Sequence, residues 1–96
     1  MTQRHRKAMD QAAQEAKDSI AEHNPEALLA DGFDGALVGI GVRCGQPTLA
    51  VYSYSKAVDV LMARDGMTHE EAIEWMDFNV VGAWMGISTP VWLIDL

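Results

Sequence analysis

The chain is poor in three features that would point to particular classes of protein. It has one cysteine, Cys44, so it can form no internal disulfide, and this favours a reducing compartment. Only 7 of its 96 residues are lysine or arginine, against 14 aspartates and glutamates, which gives a formal net charge of −7. No apolar run approaches the ~20 residues that a membrane-spanning helix needs. We therefore expect a cytoplasmic protein that does not enter a membrane.

The few positive charges are concentrated at one end of the chain. Arg4, Arg6 and Lys7 lie in the first seven residues, so from residue 8 onward four basic residues stand against 14 acidic ones, a balance of −10. Proteins bind nucleic acids chiefly by placing lysine and arginine on phosphates. The balance argues against direct nucleic-acid binding and favours a basic protein partner.

The first part of the chain is predicted to be helical. Hydrophobic residues make up 49% and charged residues 22% of the composition, as in an ordinary globular domain. Apolar spacing predicts a helix over residues 3–22, with a stripe made mostly of alanine. Asn24 and Pro25 are suited to begin a short second helix in PEALLA, residues 25–30. We divide the chain into an N-terminal helical extension, residues 1–30, and a core, residues 31–96.

The core is predicted to contain a small sheet. Alternating apolar residues predict strands over residues 36–43 and 48–52, joined by the turn CGQP into a hairpin. Gly39 and Gly41 leave one face of the first strand without side chains, so another backbone can approach closely there. A last strand, VWLI, follows Thr89-Pro90. The expected fold class is α+β, a three-stranded, mainly antiparallel sheet packed by two helices.

The two core helices are predicted over residues 54–65 and 69–85. The second has the clearest local signal in the sequence, a capping box in which Thr68 is the N-cap and Glu71 occupies the third helical position. Its end is predicted at Gly86, because glycine commonly terminates helices.

Asn79 stands out because it places an amide in the most apolar part of this helix. On a helical wheel it lies with Ala72 and Ala83 on the face expected to pack on the glycine-lined strand, where Gly82 also permits close approach. An unpaired amide there would cost about 1–3 kcal/mol. We therefore expect Asn79 to bond backbone groups of a strand edge or of the 86–90 loop, rather than to act in catalysis.

The remaining sides of the helix supply candidate interaction residues. They form an acidic stripe along its first half and an apolar back along its second half: Glu70, Glu74, Asp77, Phe78, Val81 and Met85. The apolar back needs cover, from the alanine stripe of the first helix, from a second copy in a homodimer, or from a foreign partner. The acidic stripe is either a solvated face or a surface that mimics phosphates.

No residue pattern points to catalysis or to a bound ion. His69-Glu70-Glu71-Ala72-Ile73 lacks the second histidine of a zinc-binding HExxH motif. Asp31 and Asp34, in DGFDG, do not follow the calcium-loop pattern. We expect no catalytic residues, no metal and no cofactor. A small metal-dependent enzyme or enzyme subunit using these carboxylates is the first alternative, and an oligomer-forming structural component of a virion is the second.

Residues 51–94 resemble a set of short phage and prophage proteins. The shared pattern is an aromatic-rich strand end, a helix, GM(S/T)xEEAIE, FNxxGA, GxxTP and a terminal apolar strand. Here it is carried by Tyr52 and Tyr54, by residues 66–74, by Phe78-Asn79 with Gly82-Ala83, and by Gly86 with Thr89-Pro90. The resemblance implies a phage-type accessory protein that works in the host cytoplasm by non-catalytic protein–protein binding, for instance by inhibiting a host nuclease or defence complex.

Overall fold

The computed structural model describes residues 3–95, with side chains from residue 11 onward. This part of the chain forms three α-helices, α1 (Gln3–His23), α2 (Tyr54–Asp65) and α3 (His69–Met76), and three strands, β1 (Leu37–Gly41), β2 (Leu49–Ser53) and β3 (Val91–Leu93). A 3-10 turn, Asp34–Ala36, precedes β1, and a π-helical turn, Asp77–Val81, follows α3. The predicted α+β class is confirmed.

The sheet has the order β1-β2-β3 and is mixed. β1 and β2 form the predicted antiparallel hairpin, with a bulge between Leu37 and Gly39. β3 is instead parallel to β2, with Trp92 opposite Tyr52. A parallel neighbour is possible because α2 and α3 form the crossover that returns the chain to the same end of the sheet.

The core lies between one face of this sheet and the helices. Tyr52, at the centre of the sheet, stacks on Trp92 with the ring centroids 5.2 Å apart, and its hydroxyl accepts a hydrogen bond from the Ala30 N–H at 2.9 Å. The buried hydrophobic side chains among the described residues are Ile20, Phe33, Ala36, Ala50, Tyr52, Ala57, Val58, Leu61, Ala72 and Met76. Four of these are alanines, which let the helices approach closely. No helix between residues 3 and 95 is long and apolar enough to cross a membrane.

The predicted first helix is confirmed, and its last turns contact the core. Ile20 is only 2% exposed, and Lys17 Nζ lies 2.8 Å from Asp34 Oδ2, in the turn before β1. The side chains of Arg4, Arg6 and Lys7 lie outside the described residues. The division of the chain at residue 30 stays a prediction, but the end of α1 and residues 31–95 share one core.

The predicted helix over residues 25–30 does not form. Asn24 Oδ1 accepts from the Glu26 N–H at 3.1 Å, as an N-cap would, but its Nδ2 donates to the Thr48 carbonyl at 2.8 Å. The Leu28 N–H donates to the Ser88 carbonyl at 3.1 Å. Local propensity is overridden because the Ser88 carbonyl takes an N–H that a helix would use, and the Thr48 carbonyl holds the Asn24 side chain.

The predicted starts of both core helices are confirmed. Ser53 caps α2 by accepting from the Lys56 N–H, and Gly66 ends it with φ at 68°. Thr68 Oγ1 accepts from the Glu71 N–H at 3.2 Å, and Glu71 Oε1 accepts from the Thr68 N–H at 2.9 Å. The capping box is complete.

Replacing Ile20 by alanine tests whether α1 belongs to the core. Removal of a buried isoleucine side chain typically costs about 2–5 kcal/mol, so Ile20→Ala should lower the free energy of unfolding by that amount in a urea titration. Ile94→Ala is the matched control, since Ile94 is 63% exposed and its loss should cost about 0.5 kcal/mol or less. Equal effects of the two changes would show that α1 does not pack as described.

Candidate functional site

The chain leaves regular helix earlier than the apolar pattern predicts. The α-helix stops at Met76, a π-helical turn continues to Val81, and Gly82 begins an irregular segment that leads to β3. A π turn places more residues in each turn than the ~3.6 of an α-helix, so the side chains after it are rotated from their places on an α-helical wheel. Gly86 ends no helix, but its φ of 102° lets the segment turn there.

The predicted place of Asn79 on the core face is therefore wrong. Its side chain is exposed, and its Nδ2 donates to the Trp75 carbonyl one turn earlier, at 3.1 Å. Ala83 is exposed as well. Nothing lies within 4 Å of the position that a Cβ on Gly39 would take, so the glycine-lined strand is not where α3 packs. α3 packs on α2 instead.

Phe78 and exposed acidic residues lie on and just after α3. Phe78 is 86% exposed and shares a pocket of about 370 Å³ with Glu71 and Glu74. Asp77 is adjacent in the chain, and Glu70 is exposed one turn before Glu74. We call Glu70, Glu74, Asp77 and Phe78 the α3 surface. The helical wheel also predicts the acidic stripe and Phe78 on the side of the helix away from Asn79, and Phe78 follows Glu74 by four residues, about one turn.

A hydrogen bond from the start of α2 fixes one carboxylate of this surface. Tyr54 Oη donates to Asp77 Oδ1 at 2.7 Å. Burial, and then the nearby Asp77 carboxylate, raises the pKa of Tyr54 to about 12. The phenol is therefore protonated at neutral pH and can donate to Asp77, whereas Glu70 and Glu74 extend into solvent.

Val81 lies in a different recess, a cleft of about 580 Å³ between the 82–90 segment and the hairpin end of the sheet. Trp84 and Ile87 line one side, and they are 75% and 63% exposed. Leu49 and Val91 line the sheet side. Met85, which is 72% exposed, lies in the same segment, where its N–H donates to Thr89 Oγ1 at 2.9 Å. The predicted apolar back is thus divided between the α3 surface and this cleft.

Sequence reasoning missed Arg43 and Trp84 as site residues. Arg43 is the only charged residue among those that line the cleft in the described structure. The signal that could have found the cleft is that residues 78–94 contain no charged residue at all. That run includes the loop as well as the helix, so a helical wheel does not display it.

Internal cover of the apolar back by α1 is also excluded for the described side chains, since Phe78 is exposed and α1 contacts β1 and the turn before it. Among the side chains of residues 11–95, no three histidine, cysteine, aspartate or glutamate residues cluster in a way that could hold a metal ion. Of the two aspartates in DGFDG, Asp34 pairs with Lys17 and Asp31 is exposed.

Comparison of the chain with models of protein families, with curated proteins and with solved structures finds no match. A function must therefore be argued from the two surfaces themselves.

Replacing Asn79 by leucine should be nearly neutral. The side chain is exposed, and the Trp75 carbonyl that loses its amide donor can bond water, so we expect a change of about 0.5 kcal/mol or less. Thermal unfolding followed by circular dichroism measures it. Met76→Ala is the control, since Met76 is 0% exposed and its truncation should cost about 2–5 kcal/mol. A large loss of stability in Asn79→Leu would show that the Asn79 amide is buried in the core after all.

The Tyr54 hydroxyl should make stability fall at alkaline pH. Its pKa is about 12 in the folded chain against an ordinary 10, so the folded state holds the proton more tightly. This contribution is complete below pH 10 and is lost as the pH rises to about 12. Urea unfolding across that range should show the loss, and Tyr54→Phe should reduce it. An equally steep loss in Tyr54→Phe would contradict the Tyr54–Asp77 bond.

Proposed function

We propose that this protein is a small acidic accessory protein of the phage type that acts in the cytoplasm by binding another protein, without catalysis. The observation that supports this most is Phe78, which is 86% exposed beside a row of carboxylates. An aromatic side chain offers ~150–250 Å² of contact area, and aromatic residues are frequent anchors of protein interfaces. Such a ring is better accounted for by a partner that covers it than by a role in folding.

The charges around Phe78 favour a basic partner. Glu70 and Glu74 are exposed and follow each other at about 6 Å along the helix axis. The chain after residue 7 carries −10. Complementary charge speeds association and selects the partner, whereas the buried aromatic contact slows dissociation. We infer a partner surface with lysine or arginine around an apolar recess.

A protein that normally binds nucleic acid has a surface of this kind. If the α3 surface occupies a basic channel, its carboxylates take the place of phosphates and the channel is blocked. The resemblance of residues 51–94 to phage proteins favours a host nuclease or a defence complex as this partner. Inhibition by occupation requires no reactive group.

A pull-down from host lysate with matched variants tests the proposal. The parent chain should retain a specific protein. Phe78→Ser should weaken its binding by about 2 kcal/mol or more, as truncation of an interface anchor does. Glu70→Lys with Glu74→Lys should also weaken it, and the effect should shrink as salt is raised.

The control for charge is the pair Glu22→Lys with Glu26→Lys, which alters the net charge equally at exposed positions outside the α3 surface. This pair should retain the partner. The proposal fails if the parent retains nothing at low or moderate salt, or if Phe78→Ser and the α3 charge variant bind as the parent does.

A further inference from the structure

One face of the sheet is left without a covering layer. The strand register puts Tyr52 and Trp92 on the core face, and the alternation of side chains puts seven residues on the other: Gly39, Gly41, Leu49, Val51, Ser53, Val91 and Leu93. Val91 and Leu93 are 41% and 44% exposed, and a Cβ on Gly39 would meet nothing within 4 Å. We call this set the open sheet face. Apart from Ser53, which is buried at the start of α2, all its members are glycine or aliphatic.

The cleft extends the open sheet face at its hairpin end. Leu49 and Val91 belong to both, and Trp84 and Ile87 add two largely exposed apolar side chains. The combined surface groups exposed apolar side chains in one region, and such a patch often marks a site of protein association.

One charged residue lies at each of two opposite ends of this surface. Arg43 lines the cleft, and the salt bridges of the described residues, Lys17–Asp34 and Arg64–Asp65, do not include it. Asp95 is exposed just beyond β3 and is likewise in neither bridge. A cation and an anion thus remain available at the borders of an otherwise uncharged surface.

The strand directions place these two charges at opposite ends of the sheet. Arg43 lies two residues beyond the end of β1, and Asp95 lies two residues beyond the end of β3. β1 is antiparallel to β2, whereas β3 is parallel to it, so the C-terminal ends of β1 and β3 lie at opposite ends of the sheet along the strand direction. Consider a twofold axis that lies in the plane between two stacked sheets and runs perpendicular to the line from Arg43 to Asp95. Rotation about this axis places the Arg43 end of one sheet over the Asp95 end of the other. Arg43 of each copy then faces Asp95 of the other.

We propose that the open sheet face and the cleft form the interface of a homodimer in which two copies pack sheet to sheet. A twofold interface must be complementary to itself, and this one is, because each copy supplies the apolar centre, the arginine and the aspartate. The glycines permit close approach of the second sheet. The α3 surface stays accessible in this dimer, so the inference does not depend on the proposed function.

Charge reversal tests the arrangement. Sedimentation of the full chain over a range of concentrations should show a dimer. Arg43→Asp and Asp95→Arg should each raise the dimer dissociation constant by about tenfold or more. An equimolar mixture of the two variants should dimerise again, because in the mixed dimer each reversed charge faces an opposite one. Failure of the mixture to recover would overturn the pairing.

A variant at the apolar centre tests the interface itself. Leu93→Glu should give a monomer that keeps its helical circular dichroism. The control Leu28→Glu introduces the same charge at a leucine that is 37% exposed outside the open sheet face, and it should stay dimeric. The proposal is overturned if the parent is monomeric throughout, even where it binds a foreign protein, or if Phe78→Ser abolishes the dimer and Leu93→Glu does not.

Discussion

The burial of the Tyr52 side chain is the contact on which the rest of the structure depends. Its ring stacks on Trp92, which holds β3 beside β2, and its hydroxyl accepts from the Ala30 N–H, which holds the segment after α1 against the sheet. Trp92 in turn meets the edge of Phe33 with ring centroids 5.8 Å apart. Arg64 covers Phe33 and donates to the Gly32 carbonyl at 2.7 Å, so α2 closes the same cluster. Three distant parts of the chain are thus ordered around one side chain.

This arrangement concentrates the core on a single side of the sheet. A domain of 96 residues has little apolar surface to distribute, and nearly all its fully buried side chains lie with Tyr52 between the sheet and the helices. The apolar side chains of the other face of the sheet and of the 82–90 segment are consequently exposed in large part. The open sheet face and the cleft are exposed because the core lies on one side only. A second layer over them would need helices or strands that residues 3–95 do not form.

Structural features that depend on interactions within a few residues of the chain are predicted correctly from the sequence. The capping box at Thr68 and Glu71 and the hairpin are both local chemistry, and each is found. The errors arise where distant contacts decide. PEALLA is not helical because Thr48 and Ser88 bond its backbone and Asn24, and the wheel drawn for Asn79 fails once the π turn changes the number of residues per turn. The acidic residues of the α3 surface could be chosen from sequence, whereas Arg43 joins the cleft only through the strand pairing.

The two edges of the sheet limit how the chain can associate. β3 has three residues, and β1 is interrupted by a bulge between Leu37 and Gly39. A flat, long edge strand recruits further strands through its free backbone groups and starts fibrous aggregation, whereas a short or bulged edge offers too few aligned bonds to do so. The chain can therefore present an uncharged, apolar C-terminal run without acting as a template for amyloid-like growth. The proposed self-association uses the open sheet face, which is fully occupied once two copies have paired, and not the edges, which can extend indefinitely.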